Sequence, residues 1–310
     1  MLKLRNKPQN YDWGKPASTS LVYKYLEAQH ANDSQELDKT KPYAELWMGS
    51  HKKGESSVIL PSATPSQPDS LIPLSQYMRE RHNKSLPFLF KILSIQNCLS
   101  IQAHPNKPLA EQLHLSDPEH YLDDNHKPEM ALALTDFKAF SNFAPGDTIV
   151  NNFERYPRLV AALGYEFGLF REGVLASQAV SEEEMKGRLK GLFLRVNQLG
   201  GVLVDLVLKD LEGRREQDLG VRDQLVKALY GQFGADVGIV VTLMMNYMEL
   251  EAGQCFAMNA LEPHAYFHGE IFECKIEVDC FLFISILLFF LFFSFMICFV
   301  VNFGFSDGVE

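Results

Sequence analysis

The chain has 310 residues, with 29 basic and 39 acidic side chains and a formal net charge of −10. Its hydrophobic fraction of 46% and charged fraction of 22% are ordinary for a folded protein, which excludes global disorder. The acidic balance argues against nucleic acid and anionic membrane surfaces as general partners, because both attract a basic surface. A chain of this length can form two medium-sized domains, or one large domain with an insertion.

Residues 1–149 are predicted to form an antiparallel β domain that a few helices interrupt. The apolar runs at 57–60 and 87–94 have the length of strands and are bordered by turn-forming residues. Helices are predicted over residues 20–28 and in the segment that follows Pro108.

Residues 150–248 are predicted to form a helical domain. Ser181 is followed three positions later by Glu184, which is the signature of a capping box at a helix N-terminus. Apolar residues then recur at helical spacing through 185–196 and again through 219–229. Residues 249–274 return to strand-like sequence and are assigned to the β domain, so the helical domain is an insertion.

Residues 275–310 differ in composition from the rest of the chain. Eleven of the 23 Phe residues lie within 271–310, and residues 280–301 are all apolar except Ser285 and Ser294. A bilayer core needs ~20 such residues in a helix, but basic and aromatic flanking residues are scarce. Translation of unspliced or mispredicted sequence is therefore favoured over a membrane anchor. The main body is predicted to be cytoplasmic, with anchoring through 280–301 as the alternative.

Three segments are rich in metal-ligand side chains. If residues 100–105 form a strand, Gln102 and His104 share one face. The second segment, 123–129, ends in Glu129, and the third, 259–266, contains His264. Two imidazoles, a carboxylate and an amide oxygen suit zinc with an exchangeable water. The alternative is that each His is an ordinary half-buried residue, and that Asp123 and Asp124 form a solvated turn.

Five segments occur together in one order. They are 42–51 (PYAELWMGSH), 86–91 (LPFLFK), 99–107 (LSIQAHPNK), 123–130 (DDNHKPEM) and 262–266 (EPHAY). This series resembles type I mannose-6-phosphate isomerase, also called phosphomannose isomerase. The resemblance runs from residue 1 to Cys274, which is nearly nine-tenths of the chain.

The resemblance implies a mixed β and α fold, namely a cupin-type β-barrel with an inserted helical domain. It implies a cytoplasmic, monomeric enzyme of GDP-mannose synthesis that interconverts mannose 6-phosphate and fructose 6-phosphate through a cis-enediol, with one Zn²⁺ per chain. The implied metal ligands are Gln102, His104, Glu129 and His264. The implied substrate-binding residues are Lys91, Ser100 and Lys127, and the implied catalytic residues are Glu273 and Lys127. The proton-transfer group itself stays open among Glu273, a zinc-bound water and another residue.

The sequence departs from the family pattern after Cys274. The family continues with a Cys-Met-Ala-like strand and a segment containing an active-site arginine, and neither that arginine nor the second cupin-like domain has a counterpart in residues 275–310. We therefore expect a truncated isomerase with little or no activity. The alternatives are a catalytically inactive, membrane-associated sugar-phosphate binder and a cupin of another activity, such as a dioxygenase. Gln102 and Lys127 favour the isomerase over the dioxygenase.

Overall fold

The computed structural model describes residues 2–31, 36–62, 69–121, 124–176 and 179–276. The strands are β1 (Lys3–Arg5), β2 (Lys7–Gln9), β3 (Lys15–Pro16), β4 (Pro42–Tyr43), β5 (Glu45–Met48), β6 (Ser57–Leu60), β7 (Ser70–Pro73), β8 (Phe88–Ile95), β9 (Glu129–Ala133), β10 (Phe137–Phe143), β11 (Met245–Leu250), β12 (Cys255–Met258) and β13 (His264–Ile276). The helices are α1 (Leu21–Gln29), α2 (Leu74–His82), α3 (Lys107–Ser116), α4 (Gly146–Glu154), α5 (Pro157–Leu163), α6 (Tyr165–Leu175), α7 (Glu182–Leu199), α8 (Val202–Leu211), α9 (Val221–Phe233) and α10 (Gly238–Thr242).

The largest sheet has the strand order β11-β10-β13-β8-β5-β2, and β9 pairs with both β13 and β12. Two smaller sheets have the orders β1-β6-β7 and β3-β4. The pairs β13 with β8, β13 with β9 and β5 with β8 are all antiparallel. This arrangement of antiparallel strands and helices confirms the predicted mixed β and α class.

Four predicted elements of the N-terminal region, two strands and two helices, are confirmed. The run at 57–60 is β6, and the run at 87–94 is β8 shifted by one residue. Helix α1 begins after Ser20, whose hydroxyl accepts a hydrogen bond from the Tyr23 amide at 3.2 Å. Helix α3 begins after Asn106, whose side chain caps the Leu109 amide, and Pro108 lies in its first turn.

The predicted strand over residues 100–105 is wrong. This segment is an irregular connection between β8 and α3, with a single bridge residue at Gln102. Pro105 has no amide hydrogen to contribute to a ladder, and Asn106 already serves as the cap of α3. The argument that strand alternation aligns Gln102 with His104 therefore does not apply.

The predicted helices at 185–196 and 219–229 are confirmed: the first lies within α7, and the second overlaps α9, which begins at Val221. The Ser181 hydroxyl accepts a hydrogen bond from the Glu184 amide at 3.2 Å, which is the expected half of the capping box. The Glu184 carboxylate accepts hydrogen bonds from the Arg188 guanidinium, one turn further along α7. A guanidinium is a stronger partner for a carboxylate than a backbone amide, because both groups are charged.

The chain divides into two compact units. Unit 1 contains the described residues of Met1–Ala139, Glu249–Glu262 and Tyr266–Glu310, and unit 2 contains those of Phe140–Met248 and Pro263–Ala265. In unit 1, α1 packs its buried face against β4, β5 and β8; the cluster contains Ala17, Val22, Tyr23, Leu26, Tyr43, Leu46 and Ile92. The core of unit 2 is helical, and its fully buried side chains include Phe153, Leu159, Phe170 and Leu192.

The apolar run at 280–301, with its two proposed origins, lies outside the described residues. Among the helices that the structure describes, none is by itself both long and apolar enough to cross a membrane. The pair α7 and α8 would meet that test together by length and composition alone, with a bend of 93° between the two helices.

Gly269 is the position in β13 where a side chain is least acceptable. Its φ is +120°, and a Cβ there would lie 2.6 Å from the Asp136 carbonyl oxygen and 2.9 Å from the Phe137 Cα. We expect Gly269→Ala to lower the free energy of unfolding by about 1–3 kcal/mol, because both the backbone conformation and the close approach are strained. Urea unfolding followed by far-UV circular dichroism measures this loss.

Gly191→Ala is the control for that substitution. Gly191 lies within α7, and a Cβ there would have no heavy atom within 4 Å other than its chain neighbours and its own helix backbone. Alanine is expected to stabilise this helix by about 0.5–1 kcal/mol, so the two substitutions should have opposite signs. Equal effects of the two would contradict the strain at Gly269.

Candidate metal centre

His104, Glu129 and His264 bring their ligand atoms together. One ligand atom from each residue lies within 4.8 Å of the other two, and His104 Nε2 is 2.8 Å from Glu129 Oε1. The Glu129 side chain is 1% exposed and that of His104 is 20% exposed, while His264 is buried. Three of the four predicted metal ligands are thus neighbours in space, although 160 residues separate the first from the last in the sequence.

Two of these donors lie at the start of a strand, and the third lies in a connecting segment. Glu129 is the first residue of β9 and His264 is the first residue of β13. His104 lies in the connection before α3, where its carbonyl oxygen accepts a hydrogen bond from the Leu261 amide at 2.7 Å. This bond ties the His104 segment to the chain immediately before His264.

A buried charged network adjoins Glu129. We use this name for Glu45, Lys91, Glu273, Lys275 and Glu129, which alternate in charge. Lys91 Nζ lies 3.3 Å from Glu45 Oε2 and 3.5 Å from Glu273 Oε2. Lys275 Nζ lies 3.7 Å from Glu273 Oε2 and contacts Glu129 Oε1 directly.

Strand register explains why these side chains meet. In the pairing of β13 with β8, Glu273 lies opposite Lys91, and in the pairing with β9, Lys275 lies opposite Glu129. Glu273 and Lys275 are two residues apart on one strand, so their side chains share a face. Directly opposite residues have Cβ atoms about 4.5–5.5 Å apart, which is close enough for ion pairs.

Burial and charge act in opposite directions on Lys275. Burial lowers the pKa of its ammonium, but the negative charges of Glu273 and Glu129 and the hydrogen bond to Glu129 raise that pKa above its ordinary value. Lys275 is therefore a buried cation at neutral pH. For Tyr266, burial raises the pKa of the hydroxyl, and the same two carboxylates raise it further. The neutral Tyr266 hydroxyl donates a hydrogen bond of 3.4 Å to Glu129 Oε2.

The other predicted site residues lie in less regular parts of the chain. Gln102 and Ser100 are exposed in the connection between β8 and α3, and Lys127 is half-buried just before β9. Lys91 is buried, and its ammonium also lies 4.8 Å from the centre of the Trp47 ring. Their assignments as ligand or substrate contacts stay predictions.

One member of the acidic pair at 123–124 lies outside the described residues. Asp123 is not among the described residues, whereas Asp124 Oδ2 forms an ion pair with Lys107 Nζ at 3.0 Å. An exposed ion pair of this kind is consistent with the solvated turn that was the alternative for this segment.

Sequence analysis did not single out Glu45, Lys275 or Tyr266. Lys275 was assigned to the divergent tail, yet it is part of β13 and contacts Glu129. The only signal for this contact was the i, i+2 spacing of Glu273 and Lys275 on a predicted strand, which puts both on one face. The opposing residue on β9 could not be identified without the register.

The donor set fits a divalent metal. Two imidazoles with one carboxylate form one of the combinations that hold catalytic zinc and leave a position open for water or substrate. The ligand atoms lie within 4.8 Å of one another, so one ion can reach all three after small side-chain adjustments. The described residues thus support a metal cofactor at this centre.

Comparison with known proteins gives matches to mannose-6-phosphate isomerases. The matching family model is that of the phosphomannose isomerase type I catalytic domain, over residues 1–146. The mannose-6-phosphate isomerase of Schizosaccharomyces pombe is 37% identical over 289 residues, which are 90% of this chain and 68% of that protein. The mannose-6-phosphate isomerase of Eremothecium gossypii is 36% identical over 286 residues, covering 87% of this chain and 66% of that protein. The chain therefore spans about two thirds of the length of these relatives.

Solved structures agree with the sequence matches. A crystal structure of mannose 6-phosphate isomerase bound with zinc and yttrium is 26% identical and superimposes with a TM-score of 0.66, covering 89% of this chain and 68% of that chain. This similarity confirms the predicted cupin-type fold.

Proposed function

The chain belongs to the type I phosphomannose isomerase family, and from that membership we propose that it interconverts mannose 6-phosphate and fructose 6-phosphate with a zinc ion. The observation that carries this proposal is the convergence of His104, Glu129 and His264, each from a different motif, on one point. These three residues would hold the ion, with Gln102 as the predicted fourth ligand.

Zinc is favoured over harder cations by the donor chemistry. Magnesium and calcium prefer all-oxygen sites, whereas two imidazoles suit zinc and other first-row transition metals. When bound, the zinc ion would supply a Lewis acid that polarises substrate oxygens.

The reaction moves a proton between C2 and C1 of the open-chain sugar, so the site needs a base and a cation for the phosphate. Glu273 is the candidate base that the family resemblance implies; it is a buried carboxylate, and ion pairs with Lys91 and Lys275 hold it in position. Lys91 and Lys127 are the candidates for phosphate contact; Lys91 also pairs with Glu45 and Glu273, and Lys127 lies half-buried just before β9. Ser100, being exposed, could add a hydroxyl hydrogen bond to the phosphate.

A coupled assay for fructose 6-phosphate on the full chain tests this function. Because residues 275–310 contain no counterpart of the family's active-site arginine, we expect only slow turnover of mannose 6-phosphate. That turnover should return after chelator treatment on reloading with Zn²⁺ and not with Mg²⁺, which does not suit an imidazole-rich site. Elemental analysis by mass spectrometry should find one zinc per chain in the active preparation. A zinc-loaded chain whose turnover equals that of a Glu129→Ala variant would contradict the proposal.

A further inference from the structure

The Lys275 ammonium lies against the Glu129 carboxylate oxygen that is close to His104. Its ammonium contacts Glu129 Oε1, the same atom that lies 2.8 Å from His104 Nε2. The other carboxylate oxygen, Oε2, lies 3.4 Å from the Tyr266 hydroxyl. The Lys275 side chain is 18% exposed, so its charge is largely removed from water at this position.

Register makes this contact a consequence of the fold. Lys275 lies directly opposite Glu129 in the antiparallel pair of β13 and β9. The same strand carries Glu273, whose carboxylate is 3.7 Å from Lys275 Nζ and 3.5 Å from Lys91 Nζ. An ammonium at this register position is therefore drawn toward the two carboxylates that flank it, and one of these is a ligand candidate.

Charge counting shows what the ammonium does to the site. Three carboxylates and two ammonium groups give the charged network a formal charge of −1. Without Lys275 that charge is −2, which a divalent cation would neutralise. With Lys275 in place, the same cation leaves a net positive charge in a buried environment, where uncompensated charge is unfavourable.

Distance adds to this effect. Zinc binds carboxylate oxygens at about 2.0–2.2 Å, so an ion and an ammonium on one oxygen are like charges only a few ångströms apart. Such repulsion is strong where water is largely excluded. The ammonium must therefore move away, or the ion must bind with reduced affinity.

We propose that Lys275 is an internal counter-cation that competes with the divalent metal for the Glu129 carboxylate and weakens metal binding by this chain. This inference rests on the proposed metal site. It identifies Lys275 as a residue that sets metal affinity through Glu129, and not as a catalytic residue.

Zinc affinities of substituted full-length chains test this competition. Lys275→Met removes the charge and keeps a flexible side chain of similar length, and Lys275→Gln removes the charge and keeps a hydrogen-bond donor. We expect both to bind Zn²⁺ about 10-fold or more tightly than the unsubstituted chain, because a like charge at close range is removed. Chelator competition measures the dissociation constants, and Zn²⁺-induced thermal stabilisation gives a second readout independent of activity.

Lys15→Met is the matched control. Lys15 is another lysine with a largely buried side chain, 12% exposed, and its ammonium lies 3.6 Å from the buried carboxylate of Glu270. Its removal should leave the zinc affinity unchanged. A gain for Lys15→Met equal to that for Lys275→Met would overturn the inference, since the effect would then be general.

The remaining outcomes separate this inference from the proposed function. If the unsubstituted chain and both Lys275 variants bind zinc with one affinity, the competition is refuted and the metal site stands. If none of them binds zinc, both proposals fail. Should one Lys275 variant not fold, the other still decides the comparison.

Discussion

Replacing His104 with alanine is expected to weaken zinc binding by about 100-fold or more. Loss of an outer-shell partner already reduces metal affinity about 10–100-fold, and His104 is a candidate for direct coordination. Its Nε2 lies 2.8 Å from Glu129 Oε1, in the group of three ligand atoms. Because His104 lies outside regular structure and is only partly buried, the fold of the variant should be intact.

The measurement that isolates this effect is ligand-induced stabilisation. Zinc at about 100 times its dissociation constant stabilises a protein by about 2.7 kcal/mol. For His104→Ala at the same zinc concentration, most of that gain should disappear while stability without metal stays the same. The loss should also appear in the Lys275→Met background, because His104 is a candidate metal ligand whether or not the Lys275 ammonium is present.

His120→Ala provides the control for histidine removal. His120 is exposed, and its Nδ1 pairs with the Asp117 carboxylate at 2.9 Å near the end of α3. Zinc affinity should be unaffected by this change. An identical loss for His120→Ala, or no loss for His104→Ala, would show that zinc binds elsewhere on the chain.

Much of the fold could be predicted from local sequence because its signals are local. Ser20 and Asn106 cap helices through hydrogen bonds that span three residues, and such contacts are visible in the order of side chains. The three ligand candidates were found in the same way, since each lies in a short polar motif. Their convergence was implied by the family resemblance, and the structure places them together.

The charged network could not be predicted because it depends on strand register. Shifting β13 by one residue against β9 would turn Lys275 and Glu273 to the opposite face. Register is set by the packing of the whole sheet, which a single sequence does not display. The strand prediction for residues 100–105 was wrong for a related reason. An alternating pattern allows a strand, but contacts with neighbouring strands decide whether one forms.

Asp223 organises a second buried charge cluster, within unit 2. Its carboxylate is fully buried, accepts a hydrogen bond of 2.7 Å from the Tyr156 hydroxyl and forms ion pairs with Arg155 and Arg214. It also accepts a hydrogen bond of 2.9 Å from the Gly220 amide at the start of α9. Both oxygens are thus engaged, at a helix N-terminus that favours negative charge.

Asp223→Ala is expected to reduce the free energy of unfolding by about 3–5 kcal/mol, the range for breaking a buried ion pair from one side. Two guanidinium groups and a buried tyrosine hydroxyl lose their common acceptor. Both Trp residues, Trp13 and Trp47, belong to unit 1, so far-UV circular dichroism is the signal that reports the helices of unit 2. Asp218→Ala, which breaks an exposed pair with Arg215, should change stability by less than about 1 kcal/mol.

The contribution of Asp223 to the free energy of unfolding should decrease as the pH is lowered. Burial raises the pKa of this carboxyl, but the hydrogen bonds from Arg155, Tyr156 and the Gly220 amide, together with the Arg155 charge, outweigh burial and hold the pKa below its ordinary value. A lowered folded-state pKa stabilises the protein above the unfolded-state value of about 3.9, and that stabilisation is lost as the pH falls through the folded-state pKa. The stability difference between the unsubstituted chain and Asp223→Asn should therefore be constant near neutrality and shrink below about pH 4. A difference that instead grows on acidification would mean that Asp223 is protonated in the folded chain, and that the two arginines are held by other groups.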